Sequence, residues 1–509
     1  MNRETRRTPL PPRFAVPFLW LLFILAWTTQ DWEVLPGFYL RGALWLGLVL
    51  VLAWTGTLKR FDYFLWFIIT VGIAYGLAPW AVSLSERWFQ GNEALSINYA
   101  LLERDGNLTN DIIFLFVVVT MSVRLALVKV SKPTRLTELV PRRHHSRALV
   151  VGALLILVGM ICQTLIYLEK VPLQFQQVVG LFGNLTLFGL ALIGCSVIVL
   201  RRDKSPLGVV GTVTLLIGVL VYGVLGFIAG GGHKGAIFNT VLVLILLFMT
   251  QSHGSIRSAI VALCVTGGIL FFALPAMNAY KESAAKLRGD FAQNFELLRS
   301  ENFVASAESD LQLEGGLLDY WLEYGLQRVI LISMPHTYVT LYWGDGIEPS
   351  SHFGVVLQSF LPRLVAPRKI SSDLYYNSIA IASGIGNAND DITSRKPDLI
   401  CESIILGSYS TVILVAVLYA LVLVATQDLI ARLRVFDELK LAVILTTLSS
   451  VGQYPYLGSL IPAVVYTVPF YLLLSQFVFQ PLLTAGERDR SYSRKIYDPR
   501  ASRPATEVR

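Results

Sequence analysis

Apolar residues along this chain fall into long unbroken runs, not into the two-residue or 3.6-residue alternation of a fold with one face in water. The runs cover about 14–28, 38–56, 63–84, 112–130, 147–167, 179–200, 206–229, 234–250, 258–279, 401–425, 440–454 and 459–482. Most approach the roughly 20 residues that a helix needs to cross a hydrocarbon core about 30 Å thick. Backbone polar groups facing lipid must be satisfied within their own segment, so the runs predict an all-α polytopic membrane protein with about twelve spans. The one long interruption predicts a large, partly helical loop outside the membrane. The expected organisation is an N-terminal bundle of about nine spans (1–279), the loop (280–400), a C-terminal group of spans (401–484) and a disordered tail (485–509).

Charge orients this arrangement. Arg3, Arg6, Arg7 and Arg13, then Lys59 and Arg60, then Lys129 to Arg147, then Arg201, Arg202 and Lys204, then Arg257, then Arg432, Arg434 and Lys440, and finally the Arg-rich tail all fall on one side. The positive-inside rule makes that side cytoplasmic, with both termini on it and the long loop across the membrane. The other connections carry Asp31, Glu33, Glu86, Glu93, Glu103, Asp105 and Asp111. Charge inside the runs is scarce, and Arg124 stands near enough to a span end to reach the headgroups by snorkelling.

Composition agrees and excludes other classes. With 54% hydrophobic and 15% charged residues, the chain carries more apolar surface than a soluble core can hide. The formal net charge of +7 sits in topology-setting clusters and at the two ends, so no nucleic-acid partner is expected. Cys162, Cys195, Cys264 and Cys401 each lie in or beside an apolar run without a CxxC spacing, which predicts neither a disulfide framework nor a metal cluster.

The loop carries most of the candidate chemistry, because a connection of this length in a tightly connected bundle usually folds and has a task. Its acidic residues dominate from Glu296 to Glu323 among Leu311, Leu317, Trp321 and Leu322, a pattern that predicts an amphipathic helix lying on the bundle. Downstream, Arg328, Arg363, Arg368, Lys369, Arg395 and Lys396 stand among Pro, Gly and Asn. Basic residues on the trans side either neutralise the loop's own carboxylates and nearby headgroups or together form a site for an anion, for which the planar fork of arginine suits a phosphate. Gly230-Gly231-Gly232-His233-Lys234-Gly235 opens the eighth span on the same side. Glycines there form a turn, or bring helix amides and Lys234 close to an anion.

From Tyr324 onward the order of features is Arg328, Gly344, then Pro362, Arg363, Pro367 and Lys369, then Asn377, then Thr393, Ser394 and Pro397, then Glu402 entering a span, and Gly407. This order resembles the bacterial oligosaccharide repeat-unit polymerases of O-antigen and exopolysaccharide assembly, which share a proline-arginine, proline, lysine signature in a late periplasmic loop and a glutamate at the next span. The likeness of motifs covers about a third of the chain. It departs from the family at Lys234-Gly235, where an Arg-Gly pair is usual, which keeps the charge but not the bidentate fork.

The resemblance implies a glycosyltransferase in the bacterial inner membrane, and because Asp390-Asp391 is the nearest approach to a DxD-like metal site and reads as a polar turn, catalysis without a metal or cofactor is expected. Its substrate is a polyprenyl-diphosphate-linked oligosaccharide, and its partners are a flippase and a chain-length regulator. Such chemistry asks for cations around the departing diphosphate and a base near the acceptor hydroxyl. Arg328, Arg363, Lys369, Lys234, His233, Arg368, Asn377 and Arg395 are the candidates for substrate binding. Glu402 and His336 are the candidate bases, with His233 behind them. Each has a structural alternative: Glu402 stands where a carboxylate caps the tenth span, and His336 where a polar tip meets the interface. The rival readings are an O-antigen-ligase-like transferase with the same donor, and a flippase or transporter of the same lipid. Two similar halves with broken midplane helices mark many transporters, and no such repeat is visible.

Overall fold

The computed structural model describes residues 11–55, 62–79, 105–127, 144–168, 170–229, 333–361, 372–384, 397–452 and 455–484. Among the described residues the regular structure is helical, without a strand. Seven helices among the described residues are long and apolar enough to cross a membrane: Pro36–Thr55, Gly106–Ala126, His145–Ile166, Val178–Arg201, Pro206–Val224, Tyr409–Arg432 and Leu457–Thr484. Phe14–Thr28 and Tyr63–Gly76 are shorter apolar helices. The chain is therefore an all-α membrane protein. The expected spans at 234–250 and 258–279, and the loop before Ser333, lie outside the described residues.

In chain order the elements are α1 (Pro12–Thr28), α2 (Val34–Thr55), α3 (Tyr63–Gly76), α4 (Gly106–Ala126), α5 (His145–Tyr167), α6 (Leu173–Gly183), α7 (Leu185–Arg202) and α8 (Pro206–Ala229). After the undescribed stretch come α9 (Ser333–Tyr342), α10 (Pro349–Phe360), α11 (Ser372–Ala382), α12 (Leu399–Ile405), α13 (Tyr409–Arg432), α14 (Asp437–Thr447) and α15 (Leu457–Thr484).

Burial separates the spans by position. The spans Gly106–Ala126 and Val178–Arg201 are each 83% buried, against 22% for His145–Ile166 and 28% for Pro206–Val224. The first two are the centre of the bundle, and the other two are its outer wall. That wall presents Val150, Leu154, Leu157 and Ile161 on α5 and Val209, Val213, Leu216 and Leu220 on α8. Water would not tolerate such a surface, and lipid favours it. Without a hydrophobic drive between helices in lipid, small residues let them touch. A Cβ on Gly189 of α7 would stand 2.4 Å from the Gly152 carbonyl oxygen of α5, so this contact admits nothing larger than glycine.

Two buried ion pairs fasten the central α4 at its opposite ends. At its start, Asp111 receives Arg41 of α2 through both carboxylate oxygens, at 2.8 and 2.6 Å. At its end, Arg124 donates to Asp62 at 2.9 Å, and the same aspartate caps α3 by accepting from the Phe64 amide. Both pairs are almost without exposed side-chain surface. Arg124 therefore does not snorkel, and charge inside the bundle is less scarce than the apolar runs imply.

The apolar run expected as a single tenth span is two helices. α12 is a short, wholly buried helix that ends at Ile405 with Leu406 as its C-cap, and α13 restarts at Tyr409 behind a capping box between Ser408 and Thr411. Gly407 between them has φ +79°, where a side chain strains the backbone. Its amide donates to Ile404 at 2.7 Å, closing the end of α12.

Candidate functional site

The site grows from α12. Asp398 is its N-cap, accepting from the Cys401 amide at 2.8 Å with one oxygen and from the Tyr75 hydroxyl with the other. Tyr75 belongs to the π-helical turn Gly72–Gly76 that ends α3. One turn further along α12, Glu402 is fully buried.

A clamp between the chain ahead of α10 and the end of α12 sets the register. The Gly344 amide donates to the Gly407 carbonyl at 3.1 Å, and the Ile347 amide to the Ile405 carbonyl at 3.0 Å. Gly346 passes so close that a Cβ there would lie 2.6 Å from the Gly407 nitrogen. α10 then starts at Pro349, whose fixed φ and missing N–H suit a first helical position. One turn in, His352 meets Glu402, with Nε2 at 2.6 Å from Oε1. Neither side chain has exposed surface.

Further donors converge on this carboxylate. The Tyr376 hydroxyl of α11 donates to Oε1, and the Leu457 amide donates to Oε2 at 2.7 Å. Leu457 opens α15, so Glu402 lies on the positive end of that helix, where an anion is favoured. Glu402 does cap a span, then, but it is α15; α12 is capped by Asp398. On the far side of the imidazole, His352 Nδ1 is 3.0 Å from the Tyr375 hydroxyl. The ring of Tyr376 packs on Tyr456 with centroids 4.6 Å apart, closing the site beneath.

Burial dominates the electrostatics around this network. It raises the Asp398 carboxyl above its usual range, with the Cys401 and Tyr75 hydrogen bonds pulling the other way. Burial also pushes the Cys401 thiol up, and Asp398 beside it adds to the effect. Tyr375 and Tyr376 are raised first by burial and next by the neighbouring Glu402, so both phenols keep their protons across the ordinary range.

Of the residues expected from the sequence, Glu402 is central. His336 is not its partner: it sits on α9 with Nδ1 3.3 Å from Thr109 Oγ1 of α4, buried and therefore not an interfacial tip. The imidazole bonded to Glu402 is that of His352. Asn377 follows Tyr376 on α11 and is half-buried. Arg328, Arg363, Arg368, Lys369, Arg395, Lys234 and His233 lie outside the described residues.

Sequence reasoning missed His352, Tyr375, Tyr376 and Tyr75. One signal was available: the loop holds just two histidines, His336 and His352. Among the described residues no three His, Cys, Asp or Glu side chains gather with metal-ligand spacing. Comparison with protein-family models, with curated proteins and with solved structures found no match.

All of these contacts gather at one end of the bundle, where α2, α4 and α15 begin and α3 finishes. Charged and hydrogen-bonding side chains from α10, α11 and α12 meet there with both oxygens of a buried carboxylate occupied. The arrangement is equipped to hold and pass a proton at the edge of an apolar bundle.

Proposed function

We infer that this chain is a glycosyltransferase that polymerises polyprenyl-diphosphate-linked oligosaccharide repeat units at the extracytoplasmic face of the bacterial inner membrane. The observation that carries this reading is Glu402 hydrogen-bonded to His352, a carboxylate–imidazole pair in which the glutamate is itself one of the residues that resemble the polymerase pattern. An acceptor hydroxyl on the incoming unit attacks the anomeric carbon of the growing chain. The new C–O bond forms as the bond to the diphosphate breaks, and the diphosphate departs with the electron pair. The hydroxyl proton needs a base, which the Glu402–His352 pair supplies. Arg328, Arg363, Arg368, Lys369, Arg395, Lys234 and His233 are assigned to the diphosphate and adjoining glycan, and Asn377 to the glycan.

The test is gel analysis of surface or secreted polysaccharide in a deletion strain complemented with wild type, with Glu402→Gln and with Arg363→Ala. Single repeat units in place of long chains, rescued by wild type alone, support the polymerase. Full-length polymer accumulating undelivered points to a ligase.

A second reading, a transporter of the same lipid, is favoured by the ion pairs Arg41–Asp111 and Arg124–Asp62 inside the bundle. Lipid-linked units trapped on the cytoplasmic side of the deletion strain would support it.

A further inference from the structure

Glu402 and His352 have no exposed surface, so neither reaches a sugar hydroxyl directly. Tyr375, hydrogen-bonded to the same imidazole, is half-buried. Hydrogen-bond bookkeeping fixes the direction of the chain between them. Glu402 Oε1 accepts from Tyr376 and Oε2 accepts from Leu457, and a carboxylate, which has no hydrogen of its own, can only accept from His352 as well. His352 Nε2 therefore carries the hydrogen that bridges the 2.6 Å to Glu402. In the neutral ring, Nδ1 is then a lone pair, and the Tyr375 hydroxyl 3.0 Å away donates to it. Among the described residues His352 is the hydrogen-bond partner of this hydroxyl, and a phenolic oxygen that donates still has lone pairs to accept from a group outside the protein.

We propose that Tyr375 is the catalytic residue that touches the acceptor hydroxyl, with His352 behind it as proton acceptor and Glu402 as the positioning carboxylate. The proposal rests on the polymerase reading and adds the group that meets the substrate. As the acceptor oxygen attacks, its proton passes to the Tyr375 oxygen while the phenol's own proton passes to His352 Nδ1. The imidazolium so formed is held by Glu402, and the diphosphate takes the electron pair of the broken bond. Tyr375 ends as it began, a neutral phenol. The logic is that of a Ser-His-Asp relay with a phenol in front. The phenol serves as a conduit and not as a standing phenolate, consistent with its titration being pushed upward by burial and by Glu402. Among the described residues, the titratable groups around it are His352 on α10, Glu402 on α12, Tyr376 on α11 and Tyr342 on α9.

The experiment uses the full-length protein in vesicles with lipid-linked repeat units, following chain lengthening for wild type, Tyr375→Phe, Glu402→Gln and a protein carrying 3,5-difluorotyrosine at position 375. Tyr375→Phe is expected to lower kcat by about 100-fold or more with KM little changed, the scale of a lost proton-transfer group. Difluorotyrosine keeps the shape and the hydroxyl but is more acidic, and is expected to move the pH profile toward acid. Full activity in Tyr375→Phe beside an inactive Glu402→Gln overturns the proposal and leaves the polymerase reading standing. An inactive Tyr375→Phe with an unmoved difluorotyrosine profile also overturns it, because the ring then has a structural part alone. Wild type that lengthens nothing overturns the polymerase reading and this proposal together.

Discussion

Arg41→Met is the substitution whose cost follows most directly from the geometry. The guanidinium makes two hydrogen bonds to Asp111 and one each to the carbonyls of Asn107, Gly37 and Ala26, thereby tying α1, α2 and α4 together. Methionine fills much of the same space but supplies no donor, so Asp111 is left as a buried carboxylate without its main partner. Removing one member of a buried pair costs about 3–5 kcal/mol, most of it the price of the charge left behind. Asp111→Leu alone strands the arginine and costs a similar amount. The double variant Arg41→Met with Asp111→Leu removes both charges, and such replacements are often neutral or stabilising. The thermal midpoint and the monodisperse yield of detergent-solubilised protein are the readouts. Each single variant is expected to lose most of its yield, and the double variant to recover it, so the coupling equals the sum of the two single costs, about 6 kcal/mol or more. A single variant as stable as wild type, or a double variant that falls by the sum of the two single losses, would refute the reasoning. The recovered double variant also bears on function: a polymerase keeps its activity without this pair, whereas a transporter that moves its substrate through it does not.

Gly407→Ala places a side chain at φ +79° against the Gly346 backbone and the Tyr342 carbonyl, so it should destabilise the protein by about 2 kcal/mol or more, read as a lower thermal midpoint. Asp398 gives a pH signature, because burial raises its carboxyl in the folded state. Its contribution to stability is fully present below the ordinary aspartate range and is lost as pH rises through the raised value; thermal midpoints across acidic pH should decline less steeply in Asp398→Asn, and an unchanged slope would contradict this. Glu402→Gln turns one acceptor oxygen into an NH₂ facing a donor, and is expected to abolish chain lengthening while costing about 1–3 kcal/mol in stability. Chelation should leave chain lengthening unchanged, since lysine and arginine are assigned to the diphosphate; activity lost with a chelator and restored by Mg²⁺ would remove that assignment.

The spans were legible because lipid demands long apolar helices whatever their neighbours, and α1, α2, α5 and α8 fall close to their runs. The break at Gly407 was hidden. The two residues Gly407 and Ser408 do not interrupt an otherwise apolar stretch, and what makes the glycine necessary is Gly346, some sixty positions earlier. Arg124 illustrates the same limit. Its place near a span end fits either snorkelling or burial, and the partner that decides, Asp62, belongs to another span. At the site, Glu402 was legible by its motif position, but its partner was not. His336 lies in an apolar stretch and His352 beside Pro349, Ser350 and Ser351, and nothing local distinguishes the histidine that faces α12 from the one that faces α4. The four donors to Asp398 and Glu402 from outside α12 come from tyrosines, a histidine and a backbone amide, residue types whose role is set by tertiary placement.

Asp398 and Glu402 also fix when the site comes into being. Asp398 joins Tyr75 across 323 positions of sequence, and Glu402 joins Leu457 across another 55. A chain entering the membrane from its N-terminus thus carries half of the Asp398 contact almost from the start. The Glu402 carboxylate waits for α15. Until that helix is in place the carboxylate lacks an amide on Oε2 and the dipole behind it, so the unfinished chain can thread its earlier spans into the bilayer with its chemistry still unassembled.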